Sequence, residues 1–178
     1  MAYRLGTDSA VLDFAVVWRH LSTETYWSRG RTLDQVEDEF TTAWRVVTAH
    51  ESTTGMLAGF ARAISDGIGS ALLADVFVAS DHRRRGLGKL ILNHMIDAGP
   101  GREFGWILFT HNAHKLYEEF GFERIDSLAM IRLPGPPGRD EHRGQNPIAD
   151  YRAITRRTVG RSPAWRGTRR DAVTTDEA

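Results

Sequence analysis

The residues best suited to chemistry lie between Asp75 and Leu92, in the run DVFVASDHRRRGLGKLIL. An apolar β-branched and aromatic segment, Val76 to Val78, predicts a buried strand. A basic turn with the spacing R-x-x-G-x-G follows, fixed by Arg83, Gly86 and Gly88, and then an apolar helical face begins. A strand, a glycine-rich turn and a helix together favour anion binding, because the N–H groups of the first helical turn lack intrahelical acceptors and the helix dipole adds positive charge.

The turn is predicted to bind phosphate oxygens. Glycine lets an oxygen approach the backbone without meeting a Cβ, and arginine adds charge and forked hydrogen bonds. The spacing differs from both G-x-x-x-x-G-K-[ST] and G-x-G-x-x-G, so neither a nucleoside triphosphate nor a nicotinamide is the natural ligand. The alternative interpretation is a basic surface turn before an ordinary helix.

A second run, WILFTHNAHKLYEEFGFERI at residues 106–125, has the pattern N-x-x-x-x-Y-x-x-x-G-F, formed by Asn112, Tyr117, Gly121 and Phe122. With these two motifs the sequence resembles the GNAT superfamily of acetyl-CoA-dependent N-acetyltransferases, more loosely over residues 3–133. The resemblance implies an α/β (α+β) fold with a mixed, mainly antiparallel sheet flanked by helices.

The resemblance also implies acetyl-CoA as co-substrate. Its pantetheine arm would pair with the central strand, an amide there would polarise the thioester carbonyl, and the turn would hold the pyrophosphate. The cofactor-binding residues implied are Val76, Phe77, Val78, Arg83, Arg84, Arg85, Gly86, Leu87, Gly88, Lys89 and Asn112. For Asn112, an N-cap of the following helix is an open alternative.

Tyr117 matches the family tyrosine that protonates the leaving thiolate, although it could also be a half-buried aromatic between helix and sheet. Asp75 is the candidate general base, acting directly or through water; its alternative is a structural cap or an ion pair with Arg62. His111 and His114 are further candidates for the base, because imidazole titrates near neutral pH. No third ligand accompanies these two histidines, so no metal is expected.

In the resembling family, the loop between the first two helices borders the acceptor pocket. Trp27 and Arg29 in this loop, and Arg62 on a predicted strand, are the candidate substrate-binding residues, with Tyr26 and Arg31 beside them. This aromatic and basic wall favours an acceptor that also bears a carboxylate or phosphate. Alternatively, the aromatics belong to the core and the arginines are solvated or ion-paired.

Hydrophobic periodicity and turn residues predict the elements that position these side chains. Strands are predicted at 3–5, 45–49, 56–63, 71–79, 106–110, 122–125 and 129–133; helices are predicted after Asp8 or Ser9, after Thr32, from the glycine turn to about 98, and from 112 or 113 to 120.

The chain has 178 residues, formal net charge zero and no cysteine. One domain at 1–133 is predicted, followed at 134–178 by a Pro/Gly linker and an Arg-rich, poorly ordered tail. Disulfides and a cysteine nucleophile are excluded. No apolar run approaches the roughly 20 residues of a membrane span, and the first residues lack a signal-peptide core, so a cytoplasmic protein without a membrane partner is expected.

The sequence therefore predicts an N-acetyltransferase that moves an acetyl group to the primary amine of a small molecule or peptide by direct attack, with Tyr117 as general acid. A non-catalytic acyl-CoA-binding module and an acetyltransferase acting on aminoacyl-tRNA are the alternatives. Because the charge of the chain is balanced, a nucleic-acid partner is not expected, although the tail arginines could form a phosphate-contacting arm. A homodimer paired through terminal strands is the default expectation for this fold.

Overall fold

The computed structural model describes residues 2–28 and 30–125. Arg29, the strand predicted at 129–133 and the Arg-rich tail lie outside the described residues. The domain boundary near residue 133 therefore stays a prediction.

The described chain contains five strands, four α-helices and two short 3₁₀ turns. In chain order they are β1 (Tyr3–Gly6), a 3₁₀ turn (Ser9–Val11), α1 (Phe14–Glu24), α2 (Leu33–Thr41), β2 (Arg45–Glu51), β3 (Leu57–Ser65), β4 (Ser70–Val78), a 3₁₀ turn (Ser80–His82), α3 (Leu87–Met95), β5 (Gly105–Ile107) and α4 (His114–Glu118). Within this part of the chain no helix is long and apolar enough to cross a membrane.

The strands form one sheet in the order β1-β2-β3-β4-β5. The first four are antiparallel to their neighbours, whereas β5 runs parallel to β4. On one face α1 and α2 cover a core that includes Phe40 and Phe60, and on the other face α3 buries Ile91 and Met95. The predicted fold, a mixed and mainly antiparallel sheet flanked by helices, is confirmed.

Capping residues fix where the first two helices begin. Thr32 is the N-cap of α2, and it forms a capping box with Gln35 there. The first helix begins later than predicted, because Asp8 caps only the 3₁₀ turn while Asp13 accepts the N–H groups of Ala15 and Val16 at the start of α1.

A β-bulge interrupts β4. The register with β3 shifts between Phe60 and Arg62, where β4 contributes an extra residue. Asp75 lies in this bulge with φ of +47°, a left-handed conformation that is uncommon for a residue other than glycine. As a result Leu73, before the bulge, packs in the α3 core, and Phe77, after it, packs in the α1 and α2 core.

The strands β4 and β5 stay together over only a short stretch. Their pairing runs from Ser70 with Gly105 to Leu72 with Ile107, and β4 then continues to Val78 without β5, still paired with β3. The strand predicted at 106–110 is thus shorter, and residues 122–125, also predicted as a strand, have no regular secondary structure. The separation leaves a cleft between the second half of β4 and the segment that follows β5.

Gly59 allows β3, β4 and α3 to pack closely. A Cβ at Gly59 would lie 2.8 Å from the carbonyl oxygen of Phe77 and 2.9 Å from Cδ1 of Ile91. We expect Gly59→Ala to lower the free energy of unfolding by about 1–3 kcal/mol, measured by urea denaturation, because the backbone must move to admit the methyl group. Gly69→Ala is the matched control, since nothing described lies within 4 Å of its Cβ position. Equal stability of the two variants would contradict the packing argument.

Candidate active site

The cleft is lined by half-buried apolar side chains. Val76 and Val78 of β4 and Leu116 of α4 pack at its base against the α3 core. Gly88 of α3 also borders the cleft, and a Cβ there would make ordinary contacts of 3.8 Å to Leu116 and 3.9 Å to Val78. Folding therefore does not require glycine at position 88, and the missing side chain keeps space open beside the first turn of α3.

The turn before α3 presents backbone donors. Gly86 is the N-cap residue with φ of +78°, and no side chain caps the helix. Its carbonyl accepts the N–H of Leu90, as in a regular first turn. Arg84 is also left-handed, with φ of +59°. The N–H groups of the first turn of α3 have no side-chain cap, and the binding of phosphate by this turn stays a prediction.

Two basic side chains of the turn are already paired. Arg83 folds back, with Nε donating to the Val78 carbonyl at 2.8 Å and Nη2 to Glu24 of α1 at 3.0 Å. The ammonium of Lys89 lies 2.5 Å from a carboxylate oxygen of Glu119. Arg83 therefore braces the turn against the strand and α1, which the sequence did not reveal.

The edge of β4 that faces the cleft carries available backbone groups. The N–H of Ala79 bonds to the carbonyl of Ala58 on β3. Because backbone groups alternate along a strand, the N–H groups of Val78 and Val76 point away from β3, towards the cleft. The Val78 carbonyl on this edge is taken by Arg83, as described above.

Tyr117 lies half-buried in α4, with its ring centroid 5.8 Å from that of Phe122. Burial, assisted by the nearby Tyr26, raises the pKa of Tyr117 to about 12. The phenol is therefore neutral at physiological pH and can donate a proton. Asn112 is exposed just before α4, but Ala113 occupies the N-cap position, so the alternative role of Asn112 as N-cap is wrong.

Tyr26 connects the loop after α1 to the loop after β5. Its hydroxyl accepts the backbone N–H of His111 at 3.2 Å. Its ring lies 4.8 Å from the His111 ring and 4.9 Å from the Trp27 ring, both edge-on. The structure thus brings predicted acceptor-wall residues next to the predicted general acid, Tyr117.

Four charged residues cluster beside Trp27; Asp75, Arg31 and Arg62 are buried, and Glu39 is partly exposed. The carboxylate of Asp75 accepts hydrogen bonds from Arg31 at 2.6 and 3.0 Å, from Arg62 at 2.9 Å and from the indole of Trp27 at 3.1 Å. Glu39 of α2 pairs with Arg31 and lies 3.6 Å from Arg62. Two guanidinium groups and two carboxylates are thereby gathered with no net charge.

These contacts decide how Asp75 titrates. Burial alone would raise the pKa of its carboxyl group, but hydrogen bonds and charge from Arg31, and then from Arg62, outweigh burial and lower it. The same carboxylates raise the pKa of Arg31 against its own burial. Asp75 is therefore a poor proton acceptor, and the geometry corrects the general-base prediction in favour of the ion-pair alternative. Arg31 and Arg62, predicted near the acceptor, are held by carboxylates.

Glu24 and Glu39 were not predicted from the sequence. Both occupy helical positions where a carboxylate usually faces solvent, and their arginine partners lie at least 8 residues away, beyond the i+3 and i+4 spacings that mark helical ion pairs. Among the residues described, no group of three or more acidic or histidine side chains is arranged to hold a metal ion.

Comparison with known proteins places this arrangement in a family. The profile of the acetyltransferase (GNAT) domain matches residues 42–124. A protein of the GNAT family from Xanthomonas campestris pv. campestris is 30% identical; the match covers 78% of this chain and 99% of that chain, with a TM-score of 0.68. The chain belongs to the GNAT family. As a GNAT protein it is an acetyltransferase.

More distant structures share the GNAT fold. Glucosamine-6-phosphate N-acetyltransferase from Arabidopsis thaliana is 17% identical, over 75% of this chain and 99% of that chain, with a TM-score of 0.54. An aminoglycoside acetyltransferase from an uncultured soil metagenomic sample is 18% identical, over 76% and 100%, with a TM-score of 0.55. No match was found among curated proteins.

The charged cluster generates a stability prediction. Asp75→Asn removes a buried negative charge and should lower the free energy of unfolding by about 3–5 kcal/mol at neutral pH. Because the folded-state pKa of Asp75 lies below its ordinary value of 3.8, this stabilisation is full above that pH and disappears as the pH falls through the folded-state pKa. Urea denaturation at a series of pH values should show the two proteins converging in strong acid.

Asp66→Asn makes the same chemical change at an exposed residue and serves as the control. Its free energy of unfolding should stay within about 0.5 kcal/mol of the parent at every pH. An Asp75→Asn loss that did not vary with pH would show that the lost stability does not come from the charge.

Proposed function

We propose that this protein is an acetyl-CoA-dependent N-acetyltransferase that acetylates the primary amine of a small molecule or peptide by direct attack. The main observation in support is the position of the half-buried Tyr117 on α4, near the point where β4 separates from β5 and near the N-terminus of α3, which no side chain caps. Membership of the GNAT family supplies the reaction class, acetyl transfer.

The described residues fit acetyl-CoA. The N–H groups at the start of α3, with Gly86 at the N-cap, suit a pyrophosphate, and the exposed Arg84 and Arg85 add positive charge. Gly88 leaves room for a ligand that a side chain would obstruct. The free N–H groups of Val76 and Val78 suit the amides of the pantetheine arm. The bound molecule would supply an acetyl group activated as a thioester.

The reaction needs a polarised carbonyl, a neutral amine and a proton for the leaving group. An N–H on the cleft edge of β4 can donate to the carbonyl oxygen. Tyr117 keeps its proton at Oη at neutral pH and supplies it to the leaving group. Asp75 cannot serve as base while two arginines hold it, so we assign removal of the amine proton to His111, next to Tyr26, or to water.

Gly88→Ala separates binding from folding. Its methyl group contacts nothing closer than 3.8 Å, and alanine is favoured over glycine in helices by about 1 kcal/mol, so stability should not fall. The same methyl group intrudes on the proposed ligand space, and we expect acetyl-CoA affinity to drop at least about tenfold by isothermal titration. Asn93→Ala, an exposed change on α3, should leave the affinity unchanged. Unaltered affinity of Gly88→Ala would place acetyl-CoA elsewhere.

Tyr117→Phe tests the general acid. Loss of proton donation should lower kcat by about 10²- to 10⁴-fold, followed as free-thiol release with an amine acceptor. The dissociation constant of acetyl-CoA, measured by titration, should change little because the ring is retained. An undiminished kcat would exclude Tyr117 as the acid, and binding without turnover in the parent protein would indicate the non-catalytic alternative.

A further inference from the structure

Aromatic side chains lie near Tyr117 on two loops, the loop between α1 and α2 and the loop after β5. Tyr26 and Trp27 are half-buried and His111 is exposed, and the Tyr26 ring centroid lies 4.9 Å from that of Trp27 and 4.8 Å from that of His111. The indole N–H of Trp27 is used by Asp75, so Trp27 has only its ring face to offer a ligand. An acceptor entering beside Tyr117 therefore meets flat apolar surfaces.

Arg31 and Arg62, which lie near these aromatic rings, are already ion-paired and cannot bind an anionic group of an acceptor. The side chains of Arg31 and Arg62 are only 8% and 9% exposed, and both are paired with Asp75 and Glu39. A carboxylate or phosphate on the acceptor would have to displace a carboxylate that is already bound there. The expectation from the sequence, an acceptor with an added negative charge, loses its support among the described residues.

The carboxylates of Asp75, Glu39 and Glu24 are also ion-paired and do not offer a free negative charge to a cationic acceptor. Around the loop, Asp75 and Glu39 bind the two buried arginines, and Glu24 binds Arg83. A polycation such as a polyamine needs several carboxylates with free charge. In the part of the chain that the structure describes, the acceptor side offers none of these three carboxylates for that purpose.

On these grounds, and resting on the proposed function, we infer that the acceptor is a primary amine carried on an uncharged aromatic or apolar group. Aromatic faces bind such a group by stacking and edge contacts, and they attract its ammonium before the proton is lost. Recognition by ion pairs is not required.

The test compares four amines under identical conditions: phenethylamine, n-propylamine, spermidine and glucosamine 6-phosphate. We expect phenethylamine to have the highest kcat/KM, by at least about tenfold, and its value to change less than about twofold between roughly 0.05 and 0.5 M KCl. A higher kcat/KM for spermidine or glucosamine 6-phosphate would overturn this inference and leave the proposed function standing. Failure of the protein to bind acetyl-CoA by titration would instead overturn the proposed function.

Ligand-observed saturation-transfer NMR with coenzyme A present gives a second readout that does not depend on turnover. Phenethylamine should show saturable contact with the protein, and spermidine at equal concentration should not. The reverse pattern, or no contact for phenethylamine, would refute the inference even if no amine is turned over.

Two variants test whether Trp27 and Tyr26 are responsible for the preference for an aromatic amine. Trp27→Leu and Tyr26→Leu should each reduce the ratio of kcat/KM for phenethylamine to that for n-propylamine by at least about fivefold. The ratio is insensitive to a general loss of active protein, which matters because Trp27 also bonds to Asp75. Phe104→Leu, which removes an aromatic ring whose centroid lies 5.4 Å from that of Trp44, should leave the ratio unchanged. Unchanged ratios in both loop variants would refute the assignment.

Discussion

The buried carboxylate of Asp75 is the interaction on which the rest of the site depends. A left-handed aspartate costs free energy, as does removing a carboxylate from water, and the hydrogen bonds from Arg31, Arg62 and Trp27 offset both costs. These partners come from β3 and from the loop after α1, whereas Asp75 belongs to β4. The Asp75 carboxylate thereby connects the β4 bulge to the loop between α1 and α2. The conformation of the bulge and that of the loop therefore depend on the same hydrogen bonds.

This connection determines the position of both walls of the cleft, which are the second half of β4 and the loop that carries Tyr26. The bulge changes which β4 side chains point to each face, so that Phe77 reaches the α1 and α2 core while Val76 and Val78 pack on the α3 side, and the strand continues past the end of its pairing with β5. The loop, held through Trp27, places Tyr26 against His111 and next to Tyr117. A buried, ion-paired carboxylate can therefore control the surroundings of the proposed acid. This is a positioning role, and it explains why a carboxylate at this place in the strand need not be a base.

The features that the sequence predicted well are local ones. The turn around Gly86, the start of α2 at Thr32 and the helix that carries Tyr117 each depend on residues within a few positions, so spacing is sufficient to find them. The ion pairs could not be found in this way, because Arg31 lies 44 residues from Asp75. The bulge in β4 could not be recognised from the sequence either, because one extra residue does not change the apolar composition by which a strand is predicted. The early end of β5 depends on how far two strands stay paired, which periodicity does not report.

The acceptor shows why residue type alone misleads. The segment STETYWSRGR and the strand with Arg62 make the wall look basic in the sequence, yet in three dimensions Arg31 and Arg62 are neutralised by Asp75 and Glu39. A buried arginine that is paired attracts a second anion weakly, because the field of its carboxylate cancels most of its own at ligand distance. What remains for recognition is the part of the wall that no ion pair consumes, its aromatic faces. Since the same fold is shared by acetyltransferases named for a sugar phosphate and for aminoglycosides, the fold does not specify the acceptor, and the side chains that line the wall must.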